Sequence, residues 1–161
     1  MFIPTKYGKK TENYRFMAES AKAFSEGETD LTALLSNLSA LIKLYVEDLN
    51  WAGFYLMKEG ELVLGPFQGL PACVRIAVGK GVCGKAALEG KTVIVKNVHD
   101  FPGHIACDSA SVSELVVPFF KDGKVCGVID LDSPLPERFT ELEAEYVGKI
   151  AELLTGFMNS T

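Results

Sequence analysis

Residues 101–118, FPGHIACDSASVSELVVP, form a turn-rich loop that carries Cys107 and leads through Glu114 into an apolar run. A cysteine in a loop that feeds a buried strand sits where chemistry concentrates. Ala106, Ser109, Ala110 and Ser111 leave room for a ligand and offer hydrogen bonds, so Cys107 reads as a nucleophile. A second signal lies in VCGVIDLDS, where Asp130 and Asp132 stand two apart and face the same way. Flanked by Ile129 and Leu131, such a carboxylate pair is costly unless it binds something. Glu114 joins that face only under one condition. With a plain two-residue turn at Asp122-Gly123, Leu115 would oppose Asp130 and Glu114 would point to the other side of the sheet. A three-residue loop, or a bulge near Pro118, shifts the register by one, and the shift is the expectation.

The other thiols leave several chemistries to weigh. Cys73 begins a short strand in this reading. Cys83 follows a Gly-Lys-Gly turn at the start of a short helix, whose backbone amides would stabilise a thiolate and lower its pKa. A zinc site would combine Cys73, Cys83 and Cys107 with His99 or His104, but no pair shows the short CxxC-type spacing such sites use, so no metal is expected. The same absence argues against a thioredoxin-like dithiol. Glycines 79, 81 and 84 match neither GxxxxGK[ST] nor GxGxxG, which sets aside a phosphate cradle. His104, three residues before Cys107, could be the base of a Cys-His hydrolase, yet no orienting third group is visible. It reads better as a loop residue with a satisfied backbone contact. What remains is one attacking thiol and a distant partner brought near by folding.

The elements that must position these groups follow from periodicity. Residues 12–25 read as a helix ending at Gly27, and Asp30 opens a second one. In that second helix Leu31, Leu34, Leu35, Leu38, Leu41, Ile42, Tyr45 and Val46 form one apolar stripe, either core or a homodimer interface. From Asn50 the period changes to two. NWAGFYLMK, the turn Glu59-Gly60 and ELVLGPFQG make a hairpin, with Trp51, Gly53 and Tyr55 on one face. A glycine between two aromatics lets another group approach the backbone. Strands at 92–95 and on either side of Asp122-Gly123 follow. Thr140 and Glu143 then form a capping box that opens a terminal helix packed on the sheet. The fold class is α+β, with a central antiparallel sheet of about six strands flanked by helices from both terminal segments. One domain spans 1–161, with helices over about 12–49, the sheet and active-site loops over about 50–133 and the last helix over about 140–158.

The chain has 161 residues, 48% of them hydrophobic and 23% charged, with a formal net charge of -5. That describes an ordinary globular domain. No basic cluster appears beyond Lys9-Lys10, so nucleic acid is not an expected partner. MFIPTKYGKK lacks the apolar core of a secretory signal, and no run approaches the roughly 20 apolar residues of a membrane span. No membrane partner is expected and the cytoplasm is the expected location. Four cysteines in a reducing compartment point to redox chemistry, metal or burial.

Four stretches, NWAGFYL, LGPFQGLPACVRIAVGKGVCGKA, VHDFPGHIACDSASVSELVVP and GVIDLDSP, carry a resemblance over nearly the whole chain. With cysteines ten and twenty-four residues apart (Cys73, Cys83, Cys107), they resemble the free methionine-R-sulfoxide reductases, single-domain proteins of the GAF fold. The resemblance implies Cys107 as the catalytic cysteine, Cys73 as its chief resolving partner and Cys83 as an alternative resolver or relay. It implies that Glu114, Asp130 and Asp132 hold the substrate and that Trp51 and Tyr55 enclose its methylthio end. It further implies free methionine-R-sulfoxide as substrate, no bound cofactor, and thioredoxin as the external reductant. Leu70 departs from the pattern, which has a basic residue there, and Cys126 lies outside it and reads as a buried small hydrophobe. A thiolate attacks the sulfoxide sulfur while an acid protonates its oxygen, so a carboxyl group of raised pKa should stand nearby. Clustered carboxylates would pair with the ammonium of a free amino acid, which a methionine within a chain lacks. Two other classes of reading are a GAF-type small-molecule sensor and a redox-sensing binding module without turnover.

Overall fold

The computed structural model describes residues 1–105 and 108–161. Two helices, α1 (Lys10–Ser25) and α2 (Leu31–Tyr45), precede a hairpin of β1 (Trp51–Lys58) and β2 (Glu61–Gln68). A short β3 (Arg75–Ala77), α3 (Gly81–Glu89), β4 (Val93–Val95), the long hairpin β5 (Ser113–Lys121) and β6 (Lys124–Ser133), and α4 (Glu141–Ser160) complete the chain. The six strands form one sheet in the order β3-β2-β1-β6-β5-β4, every neighbouring pair antiparallel. This is the expected α+β architecture. Among the described residues, no helix is long and apolar enough to cross a membrane.

Alternation along the strands sorts side chains between two cores. Ala52, Phe54, Leu115, Val117, Phe119, Ile129 and Leu131 face the layer made by α1, α2 and α4. The apolar stripe of α2 is therefore core, with Leu34, Leu35, Leu38 and Ile42 fully buried. Trp51, Tyr55, Leu62, Val116 and Val128 face the other way, where Val82, Cys83 and Ala86 of α3 cover them. The site lies on this second face.

Caps fix the helix starts. Asp30 accepts a hydrogen bond from the Ala33 amide at 2.8 Å, satisfying an orphan donor of α2. At α4 the expected capping box is present, Thr140 and Glu143 exchanging bonds. Glu143 does more than cap. Buried at 1% exposure, it accepts from Tyr14 Oη and from Arg138 Nη1, each at 2.9 Å, and so ties α1 to the start of α4. Burial alone would raise its pKa, but hydrogen bonds from Thr140, Arg138 and Tyr14 hold it down at about 2. The same burial pushes Tyr14 up to about 12.

A carboxyl whose folded-state pKa is depressed adds stability above its unfolded pKa, and that stability is lost as pH falls through the folded value. Glu143→Gln is therefore expected to cost about 2 kcal/mol at neutral pH, because Arg138 loses its counter-charge in a buried setting. The variant should also lose less stability than the parent between pH 4.5 and about 2. Denaturant unfolding at a series of pH values checks both.

Candidate active site

The β5–β6 register places the acidic residues. Lys121 pairs with Lys124 across the two-residue turn, where Asp122 (φ 51°) and Gly123 (φ 74°) both take the left-handed backbone that type I′ turns need. Phe119, however, pairs with Gly127, so Cys126 is the extra residue of a β-bulge on β6. Beyond it Glu114 stands opposite Asp132 and Val116 opposite Asp130. The expected shift is present, next to Pro118 and carried by the partner strand. Without it Glu114 would enter the helix-covered core. Cys126 is half-buried at the bulge, with its thiol directed to the Phe119 carbonyl, rather than a fully buried core residue.

On the other side of β6, Trp51 pairs with Asp132, Gly53 with Asp130 and Tyr55 with Val128. The aromatic pair thus lies beside the carboxylates. The Trp51 ring stacks on Tyr55 with centroids 5.9 Å apart and on Phe67 at 5.2 Å. Gly53 permits this, since a Cβ there would overlap Phe67 and lie 2.9 Å from the Trp51 ring. The polar ends of both aromatics hold the segment that precedes β3. Trp51 Nε1 donates to the Leu70 carbonyl at 3.2 Å, and Tyr55 Oη donates to the Cys73 carbonyl at 2.9 Å. Cys73 lies before β3 rather than on it, because pairing with β2 begins only at Arg75. It is half-buried and disulfide-bonded.

These groups line one pocket. Trp51 and Tyr55 form a wall, Glu114, Asp130 and Asp132 the floor, and Cys83, Lys80 and Val82 of the α3 region one flank. His104, Ile105, Asp108 and Ser111 form the other flank. Of the expected site residues, the structure gathers Trp51, Tyr55, Cys83, Glu114, Asp130 and Asp132 here, with Cys73 held at the edge through Tyr55. Cys107 lies outside the described residues.

Electrostatics set the pocket apart. Glu114 and Asp130 are buried, at 5% and 6% exposure, and Asp132 is half-buried. Burial, then the charges of Asp130 and Asp132, push Glu114 well above the usual carboxylate range. Asp132 is likewise pushed well up by burial and by the neighbouring Asp130 and Asp108. Asp130 is raised by burial, but it accepts hydrogen bonds from Glu114 and Cys83, and so of the three it best keeps its negative charge. Its Oδ1 is buried without a hydrogen-bond partner. Among the described residues, no lysine or arginine pairs with any of the three carboxylates.

One sequence expectation is corrected here, and another is extended. Cys83 does sit in the first turn of α3, but its thiol is pushed well above the ordinary value, not lowered. It is 3% exposed and faces Asp130, Glu114 and Asp132, and that surrounding outweighs the helix terminus. His104 is the expected loop residue with a backbone contact, and its ring adds a second role. Its amide does donate to the Phe101 carbonyl, yet its ring enters the pocket with Nε2 3.8 Å from Glu114 Oε2. Burial and the nearby His99 lower its pKa, which keeps the imidazole neutral. Asn50 was also missed. It precedes Trp51 and donates through Nδ2 to Asp108 and Ser111, at 3.0 Å each, fastening that flank to the sheet. Its place at the start of a strand rich in site residues was the available signal.

Comparison with known proteins agrees with this geometry. Residues 28–158 match the GAF domain family. The chain is similar to Protein YtsP of Bacillus subtilis, 51% identical over 149 residues covering 91% of each chain. It is similar to the free methionine-R-sulfoxide reductase of Escherichia coli, 44% identical over 152 residues covering 94% of this chain and 92% of that one. Its backbone is similar to the X-ray structure of free methionine-R-sulfoxide reductase from Neisseria meningitidis in complex with its substrate. There the TM-score is 0.93 and the identity 42%, with 98% of this chain and 95% of that one covered. The chain therefore belongs to the GAF-domain family of free methionine-R-sulfoxide reductases.

Proposed function

We propose that the chain reduces free methionine-R-sulfoxide to methionine. The observation that carries this reading is the uncompensated buried acid cluster under an aromatic wall. An ammonium group laid on Asp130 and its neighbours would supply the cation that the described side chains do not, and the faces of Trp51 and Tyr55 suit a methylthio group. A methionine within a chain has no ammonium, so it would leave the cluster unpaired. The R preference is taken from the family.

In the proposed cycle the Cys107 thiolate attacks the sulfoxide sulfur. The sulfoxide oxygen leaves on Cys107, so methionine is released, the sulfoxide sulfur is reduced by two electrons and Cys107 becomes a sulfenic acid. Glu114 is suited to protonate the oxygen, because burial and the charges of Asp130 and Asp132 push its pKa well above the usual carboxylate range. A second thiol then displaces water from the sulfenic acid to form a disulfide, which thioredoxin opens by exchange. Cys73 suits the resolving role better than Cys83. It is half-buried at the pocket edge and already disulfide-bonded, whereas Cys83 is buried with a raised thiol pKa.

The test is a coupled assay with thioredoxin, thioredoxin reductase and NADPH on both epimers of the free sulfoxide and on a peptide containing the R epimer. NADPH consumption matched by methionine release is expected for the free R epimer alone. Binding of that epimer without methionine release would instead favour a GAF-type sensor.

A further inference from the structure

We propose that Cys83, Glu114 and Asp130 form a binding site for a thiophilic divalent cation, Zn²⁺ fitting best, with His104 orienting Glu114 from outside the ligand set. The bound ion would exclude a substrate ammonium from the same carboxylates. One donor atom from each of Cys83, Glu114 and Asp130 lies within 4.8 Å of the others, and all three residues are buried. Cys83 Sγ is 3.9 Å from Glu114 Oε1, and His104 Nε2 is 3.8 Å from Glu114 Oε2. Tetrahedral zinc with Zn–S near 2.3 Å and Zn–O near 2.1 Å separates sulfur and oxygen ligands by about 3.6 Å, so the Cys83–Glu114 contact needs to close by only a few tenths of an ångström. His104 touches Glu114 alone and so holds that ligand in place as an outer partner.

An independent observation points to a ligand. Asp130 Oδ1 belongs to a residue 6% exposed, lines the pocket and has no hydrogen-bond partner. A thiolate and two carboxylates, with the thiolate deciding the preference, make a borderline-soft set, which suits Zn²⁺ or Co²⁺ and not Mg²⁺ or Ca²⁺. Ion uptake releases the protons of the Cys83 thiol and the Glu114 carboxyl and removes the repulsion among the acids. The set differs from the zinc grouping weighed in the sequence, which needed Cys73. That residue is disulfide-bonded and takes no part in the present set. The inference shares a pocket with the reductase reading but does not rest on it, since metal uptake is read without substrate.

The test is titration of the full-length, oxidised, metal-free protein with Co²⁺, followed by displacement with Zn²⁺. One equivalent per chain with a near-ultraviolet thiolate-to-cobalt absorption is expected. Cys83→Ser should abolish the band, Cys126→Ser should leave it, and His104→Ala should weaken Co²⁺ binding about tenfold or more, with folding checked by circular dichroism. X-ray absorption at the zinc edge of the unaltered protein adds a measurement that needs no variant, and one sulfur at about 2.3 Å among oxygen ligands is expected. No band, a band that survives Cys83→Ser, a band that needs prior reduction of the disulfide, or a sulfur-free zinc site would each overturn the proposal. In the coupled assay Zn²⁺ should raise KM for the sulfoxide with kcat unchanged, reversibly on chelation. An unaltered KM would sink the exclusion. A protein that binds the ion through Cys83 but shows no turnover with either epimer would sink the reductase reading and leave the site standing.

Discussion

Cys107→Ser is expected to lower kcat for free methionine-R-sulfoxide by at least about a thousandfold while leaving binding of the sulfoxide almost unchanged. The two effects separate because the proposed binding groups, Asp130 and its neighbours with Trp51 and Tyr55, reside on β1, β5 and β6. Serine keeps the size of the side chain, but its hydroxyl is a poor nucleophile at neutral pH and forms no sulfenic acid. Calorimetric binding of the sulfoxide to the variant, set beside its turnover, distinguishes a lost nucleophile from a lost site. Full activity in Cys107→Ser would show that another thiol attacks. The same assay separates the two candidate resolvers. Cys73→Ser should release about one methionine per chain and then stall with thioredoxin, whereas Cys83→Ser should continue through many turnovers. The reverse pattern would assign resolution to Cys83.

Local pattern was enough for some of this and not for the rest. The period of Leu34, Leu38 and Ile42 identified the buried face of α2, and Thr140 with Glu143 identified the start of α4, because caps and stripes involve neighbours within a turn or two. The placement of Glu114 was legible for a different reason. Strand pairing has parity, so an acid that must share a face with Asp130 and Asp132 forces a one-residue slip somewhere in the hairpin. Which strand absorbs the slip was not legible. Cys126 rather than the neighbourhood of Pro118 on β5 carries the bulge, a matter of how Gly127 lets the Phe119 ring lie against β6.

The site's remaining features depend on chain segments far apart in sequence. The helix-terminus argument for Cys83 was sound locally and lost to burial beside residues 114, 130 and 132. No spacing rule brings His104 to Glu114 across a loop, or Tyr55 to the carbonyl of Cys73 eighteen residues on. Side chains that reach a distant backbone carbonyl leave no periodic trace.

Asp130→Asn carries the second large expected effect, a rise in KM for free methionine-R-sulfoxide of about a hundredfold or more with kcat changed far less. Removing one partner of a desolvated charge pair costs about 2–5 kcal/mol, and a hundredfold is about 2.8 kcal/mol. Asp130 is the right position because it best keeps its charge and has an oxygen with no protein partner, whereas Glu114 and Asp132 are pushed well up and hold protons more readily. The same replacement should make the ligand-free protein more stable, by about 1 kcal/mol or more, since an amide removes a charge that burial penalises. A residue held for packing would lose stability on substitution. One held for binding gains stability and loses affinity, and the opposite signs make the test decisive. Denaturant unfolding and steady-state kinetics, both with a chelator present, give the two numbers. A variant that loses stability, or keeps the parent KM, would show that Asp130 does not receive the substrate's ammonium.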